Sequence, residues 1–209
     1  MIGGGAGNTG ATITLDDTVD AGTLLALVFG GGGNDSVIVN DMSATTQINL
    51  DAQAGDDSYT INYYSAFMPG ASANINVVDS SSSASDDDTL NIYGTDLVDN
   101  LNVKEDSWLG GSFRTLITGG HTGRVNYVAP TPSNARLTTL NVYGRGGQDN
   151  FFVSPSRYFT VNIFGGDPFF GPAAGDVPQV GLGDTLDFDP NGQNFTIEGR
   201  TILTSSYSV

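Results

Sequence analysis

A chain of 209 residues with 29 glycines, no cysteine and a formal net charge of −16 is long enough for one domain with its own core or for a single elongated array. Seven Lys and Arg stand against 23 acidic residues, which excludes nucleic acid and anionic membranes as partners by repulsion; the lack of cysteine excludes disulfides and thiolate metal sites. Of the acids, 21 are Asp and 2 are Glu, so the charge is concentrated in the residue that fits tight turns and coordinates hard cations.

In chain order, Ala11-Thr-Ile-Thr-Leu15 opens a series of short segments in which apolar and polar residues alternate, the strand period. Ala26–Phe29, the turn Gly30-Gly-Gly-Gly-Asn-Asp35 and Ser36–Val39 form a first unit of strand, Gly-rich turn with Asp, and strand. Ile48-Asn-Leu50 leads to Asp57 and Ser58–Ile61, with the Asp 22 residues after Asp35. Leu90-Asn-Ile92 leads to Asp99 and Asn100–Val103, and Leu140-Asn-Val142 leads to Asp149 and Asn150–Val153, 50 residues on. Thr160-Val-Asn-Ile163 follows, with Val161 placed 21 residues after Leu140, and Thr185–Phe188 comes last. No helical-length window carries apolar residues at i, i+3, i+4 and i+7.

This pattern predicts an all-β chain, a parallel β-helix or β-solenoid with rungs of about 22 residues, roughly eight or nine of them, stacked about 4.8 Å apart. A β-sandwich is the alternative, since short alternating strands with turn signals suit both. Residues 1–209 read as a single repeat array with insertions near 79–88 and 167–178 that leave the coil as loops. No apolar run approaches the length of about 18 residues that a membrane span needs, so membrane insertion is not expected. The start Met1-Ile2-Gly3 lacks the basic and apolar regions of a signal peptide, so a secreted form would be a mature chain or a fragment.

Gly30–Ile38 matches the nonapeptide G-G-x-G-x-D-x-U-x and resembles the calcium-binding repeat of RTX proteins, with partial matches at Gly55–Asp57, Gly147–Asp149 and Gly183–Asp184. The resemblance implies Ca²⁺, which takes about six to eight oxygens, with Asp35, Asp57, Asp88, Asp99, Asp149 and Asp184 as candidate ligands. The turns recur once per rung rather than back to back, so the ligand geometry of that family does not transfer; the competing reading is Asp/Gly turns held by Asx hydrogen bonds alone. The stretch from Leu137 to Phe188 also resembles segments repeated in very large secreted proteins of planctomycete-type bacteria, which are calcium-binding-like and adhesin-like. That resemblance implies an extracellular or cell-surface role and carries no catalytic residues.

Asn49, Asn76, Asn91, Asn141 and Asn162 sit mid-strand between apolar residues, where stacking would build an amide ladder and solvent-facing polar positions are the plainer account. Phe29, Tyr93, Tyr143 and Phe164 each precede a glycine and could stack as a row. Catalytic signals are thin: His121 is the sole histidine, and Asp86-Asp-Asp88 lies in a Ser-rich run without Arg, Lys or His beside it. The expectation is a structural extracellular module, not an enzyme: a stiff solenoid segment or self-assembling filament or surface-layer subunit, joined end to end with other copies or continuing in a longer chain. An adhesin or carbohydrate-binding module, with Trp108, Tyr158, Phe169 and Phe170 as glycan platforms, is the first alternative. A polysaccharide lyase or hydrolase is the second.

Overall fold

The structure, a computed structural model, describes residues 2–3, 9–15, 25–40, 47–63, 74–78, 80–81, 83, 85–95, 99–107, 113–118, 124–129, 137–146, 148–154, 159–166, 185–188, 195–198 and 201–204. These residues contain strands and no helix. The first eight strands are β1 (Ile2–Gly3), β2 (Thr12–Leu15), β3 (Leu25–Gly32), β4 (Ser36–Asn40), β5 (Gln47–Ala54), β6 (Ser58–Asn62), β7 (Asn74–Val78) and β8 (Asp88–Tyr93). They continue as β9 (Asn100–Ser107), β10 (Phe113–Thr118), β11 (Arg124–Ala129), β12 (Leu137–Tyr143), β13 (Asn150–Val153), β14 (Thr160–Phe164), β15 (Thr185–Phe188), β16 (Phe195–Glu198) and β17 (Thr201–Thr204).

Even-numbered strands up to β14, apart from β10, build a six-stranded sheet in the order β14-β12-β8-β6-β4-β2, with every pairing parallel. The other sheet has nine strands in the order β1-β3-β5-β7-β11-β10-β9-β13-β15. The chain passes from one sheet to the other and returns one strand further along, so each strand pairs with its equivalent a turn away. That is a parallel β-solenoid. A sandwich of antiparallel hairpins would pair sequence neighbours instead.

Alternation produces the core. β4 and β6 bury every second residue, placing Val37, Val39, Tyr59 and Ile61 inside. Register then stacks like on like: Val37 pairs with Tyr59, Tyr59 with Leu90, and Leu140 with both Leu90 and Val161. The nine-stranded sheet supplies Val28, Ile48, Leu50, Ile75, Val77, Val125, Leu101, Val103 and Phe151 to the same core. Each fully buried aliphatic side chain stabilises by about 1.5–3 kcal/mol, and every rung brings two or more, which is how a coil without helices or disulfides holds together.

Two departures from a uniform coil matter. β9, β10 and β11 form an antiparallel meander inside the nine-stranded sheet, with β11 rejoining the parallel order beside β7. The 50-residue step from Asn91 to Asn141 is therefore a single rung carrying an excursion, and among the described residues the six-stranded sheet has six strands. The second departure is the antiparallel hairpin of β16 and β17, whose strand β17 packs against β14, the last strand of the six-stranded sheet.

Segment 79–88 also differs from a loop that leaves the coil. Its described residues are tied to the preceding rung: Ser80 donates through its main chain and hydroxyl to Asp51 Oδ1, the Gly55 amide donates to Asp86 Oδ2, and the Asp87 amide donates to Asp56 Oδ1. The Ser81 hydroxyl donates to Asp86 as well. Residues 167–178 lie outside the described residues.

Candidate functional site

Five of the six candidate aspartates come together in two columns. In the first, the Ala11 amide donates to Asp35 Oδ1 at 2.6 Å, the Asp35 amide to Asp57 Oδ1 at 2.7 Å, and the Asp57 amide to Asp88 Oδ1 at 2.9 Å. Each carboxylate thus reaches to the main chain of the rung before it. In the second column the Asp99 amide donates to Asp149 Oδ1 at 2.9 Å. Asp184, the next Asp in that series, lies outside the described residues. All five side chains are buried, Asp149 completely.

The two columns occupy opposite edges of the coil. Asp35, Asp57 and Asp88 end the connections β3 to β4, β5 to β6 and β7 to β8, all running from the nine-stranded to the six-stranded sheet. Asp99 and Asp149 end the connections β8 to β9 and β12 to β13, which run the other way. Strand β8 belongs to both systems: Asp88 begins it, and Gly94 with Asp99 follows it.

At Asp35, Asp99 and Asp149 a glycine five residues earlier makes room for the carboxylate. A Cβ added at Gly30 would collide with Asp35 Oδ2 and lie 2.6 Å from the Ala52 carbonyl oxygen; at Gly94 it would lie 2.5 Å from Asp99 Oδ2, and at Gly144 it would collide with Asp149 Oδ2. The residue that follows Gly30, Ala52 and Gly144 takes a left-handed backbone, with φ of 118° at Gly31 and 77° at both Gln53 and Arg145. Non-glycine residues there carry a cost of about 1 kcal/mol or more.

Asx residues just before the aspartates form a further, exposed row: Asn34 Oδ1 accepts from the Asp56 amide, and Asp56 Oδ1 from the Asp87 amide. Mid-strand asparagines stack too. Asn49, Asn76 and Asn126 are joined by amide hydrogen bonds of 2.7 and 2.9 Å on the nine-stranded sheet, and Asn91, Asn141 and Asn162 by bonds of 2.9 and 2.8 Å on the six-stranded sheet. Asn62 donates to Asn40, and Asn150 to Asn100, in the same way. Sequence reading missed Asn126, although Val125-Asn126-Tyr127 repeats the apolar-Asn-apolar signature.

Tyr93, Tyr143 and Phe164 stack as expected, with ring centroids 4.4 and 4.6 Å apart and planes within 9° of parallel. Phe29 is not in this row; it sits on the nine-stranded sheet opposite Asp51. The three stacked rings line an open cleft of about 440 Å³ together with Asn62, Arg145 and Gly166. Burial, and then the neighbouring Tyr93, push the Tyr143 phenol above its usual value.

Among the described residues, no three His, Cys, Asp or Glu side chains group as a cation site. Asp86 and Asp88, read from sequence as part of a carboxylate cluster, are engaged in the hydrogen bonds that fasten 79–88. His121, Trp108, Tyr158, Phe169 and Phe170 lie outside the described residues. No protein-family model, curated protein or solved structure matches the chain.

Proposed function

We propose that the chain is a structural module of an extracellular or cell-surface protein, a stiff solenoid segment whose work is to hold distance and resist unravelling. The observation that carries this reading is the continuity of side-chain ladders from rung to rung: Asp to main-chain amide at the turns and Asn to Asn along both sheets. Each such bond is worth about 1 kcal/mol net and costs more if a buried partner is stranded, so removing one rung penalises the next. Pulling the ends of the chain apart in a force spectrometer tests the reading. Resistance in discrete rung-sized steps is expected, and smooth extension at thermal forces would sink it.

Two parts of the proposal are separable. Ca²⁺ stabilisation at the Gly-Asp turns predicts a melting temperature several degrees higher in Ca²⁺ than in chelator, by mass action on the folded state; superimposable melts leave the turns to hydrogen bonds alone. End-to-end association would pair the outermost strands of one chain's sheets with those of the next, since unpaired main-chain groups at a sheet edge template further strands. Light scattering at high concentration checks it, and a monomer with and without Ca²⁺ makes a spacer within a longer polypeptide the better account.

A further inference from the structure

The outer face of the six-stranded sheet carries one hydroxyl per strand in an unbroken row. Register pairs Thr12 with Ser36, Ser36 with Ser58, Ser58 with Thr89, and Thr139 with both Thr89 and Thr160. All six are at least partly exposed, and their hydroxyls, unlike the main-chain amides of Ser36, Ser58 and Thr89, make no hydrogen bond among the described residues. Beside them runs the amide row Asn91, Asn141 and Asn162, and beyond it the stacked rings with their cleft.

Strand propensity explains threonine on such a face, but it does not explain the absence of charge. In a chain of net charge −16, the described outward positions of β2, β4, β6, β8, β12 and β14 are Ser, Thr, Asn, Ile, Tyr or Phe, with no ionisable carboxylate, Lys or Arg among them. The outward face of the nine-stranded sheet, by contrast, presents Asp51, Lys104 and Asp187. Burying a charge against a neutral partner costs its hydration, so the charge-free face is the one on which an uncharged surface can dock.

We propose that this face binds a neutral, extended β-linked polysaccharide. The rows run along the coil axis with a spacing of about 4.8 Å, close to the length of one pyranose unit in such a chain. Hydroxyl and amide rows offer donors and acceptors in a line to the equatorial hydroxyls of successive sugars. Phe164, 44 % exposed at the end of the ring stack, offers an apolar ring face to a sugar's C–H face. An anionic polymer is disfavoured by the acidic turns that border the sheet.

The proposal goes beyond the spacer reading and stands without it, since binding and mechanical resistance are measured separately. Its test is a depletion isotherm of the whole chain on microcrystalline cellulose and on chitin, with soluble polygalacturonate as the anionic competitor. Retention on at least one neutral polymer, unaffected by the competitor, is expected. The double variant Thr89→Val, Thr139→Val keeps branched side chains of the same size and should weaken binding about tenfold by removing two hydroxyls. The change Asn102→Val, at an exposed position on the other sheet, should leave binding as it was. Circular dichroism and melting of each variant show that the fold persists. Absence of retention on both neutral polymers, displacement by polygalacturonate, or equal binding by the folded threonine double variant would each overturn the proposal.

Discussion

Residues 25–62 and residues 137–164 build their rungs from one local design, an inward-outward strand, a glycine or alanine, a left-handed residue and a buried Asp, yet they spend it on opposite edges of the coil. In the first stretch the tight turn leads out of the nine-stranded sheet; in the second it leads back into it. The turn is therefore a local object, satisfied by its own glycine and by the Asp of the neighbouring rung. Which edge it occupies depends on how many turns precede it. Strand β8 is where the change is made, because it is entered through one Asp turn and left through another.

If the two turn columns are the same device, matched substitutions should cost the same. The largest effect is expected from Gly144→Val and Gly30→Val. At Gly144 an added Cβ would lie 2.5 Å from the Gly165 carbonyl oxygen and 2.9 Å from Phe151 Cζ, and at Gly30 it would lie 2.8 Å from Ala52 Cα. Overpacking against main chain should destabilise each variant by about 3 kcal/mol, read from the urea midpoint. A tolerant Gly30 beside an intolerant Gly144 would show that the columns differ.

Next come the carboxylates. Asp57→Ala strands the Asp35 amide, and Asp149→Ala strands the Asp99 amide, with an expected loss of about 2 kcal/mol each. Hydrogen exchange locates the effect, since protection should fall at Asp35 in the first variant and at Asp99 in the second. Asp57→Asn keeps an acceptor oxygen and should recover part of the loss. Equal exchange at Asp35 in Asp57→Ala and the parent chain would contradict the assignment of the bond.

Smaller losses of about 1 kcal/mol are expected for Asn76→Ala and Asn141→Ala, the middle members of the two three-residue asparagine ladders. A loss confined to one of them would mark that sheet as the one whose ladder stabilises. The smallest effect is at high pH. Tyr143 has its folded-state pKa raised above the ordinary 10.0, so the unfolded chain releases this proton first. Its contribution is complete below pH 10.0 and is lost as pH rises through the folded value. Melts across that range should fall less steeply in Tyr143→Phe than in the parent chain.

Sequence alternation together with the recurring Asp turn was enough to place most strands of the coil and to favour a parallel solenoid, because period 2 fixes which side chains meet the core and recurrence stacks equivalent strands. It was also enough to find Asp35, Asp57, Asp88, Asp99 and Asp149 as turn residues. What alignment of the copies could not reveal is their position in space. Leu90–Val103 aligns with Ile48–Ile61, but β8 lies in one sheet and β5 in the other, so Phe29 and Tyr93 share a motif without sharing a stack. The 50-residue step hid an antiparallel excursion because strand direction is set by what the chain pairs with, a non-local property. The role of Gly30, Gly94 and Gly144, each five residues before its Asp, was legible only once the carboxylate was seen against its Cα.

The first Asp column also sets a ruler. Asp35 and Asp57 are 22 residues apart in sequence and one hydrogen bond apart in space, and strands β4 and β6 pair residue for residue over the same interval. A duplication of those 22 residues would present the new Asp, the new asparagine and the new hydroxyl to the old ones without any change elsewhere. Length can then be inherited in increments of about 4.8 Å, gained or lost by unequal recombination, with no invention of sequence at each step. The steps of 31 residues from Asp57 to Asp88 and of 50 from Asp99 to Asp149 keep the same bond, so extra residues are absorbed between strands while the strands themselves stay in register, and the lineage of such a coil should vary in whole rungs and in the length of its connections.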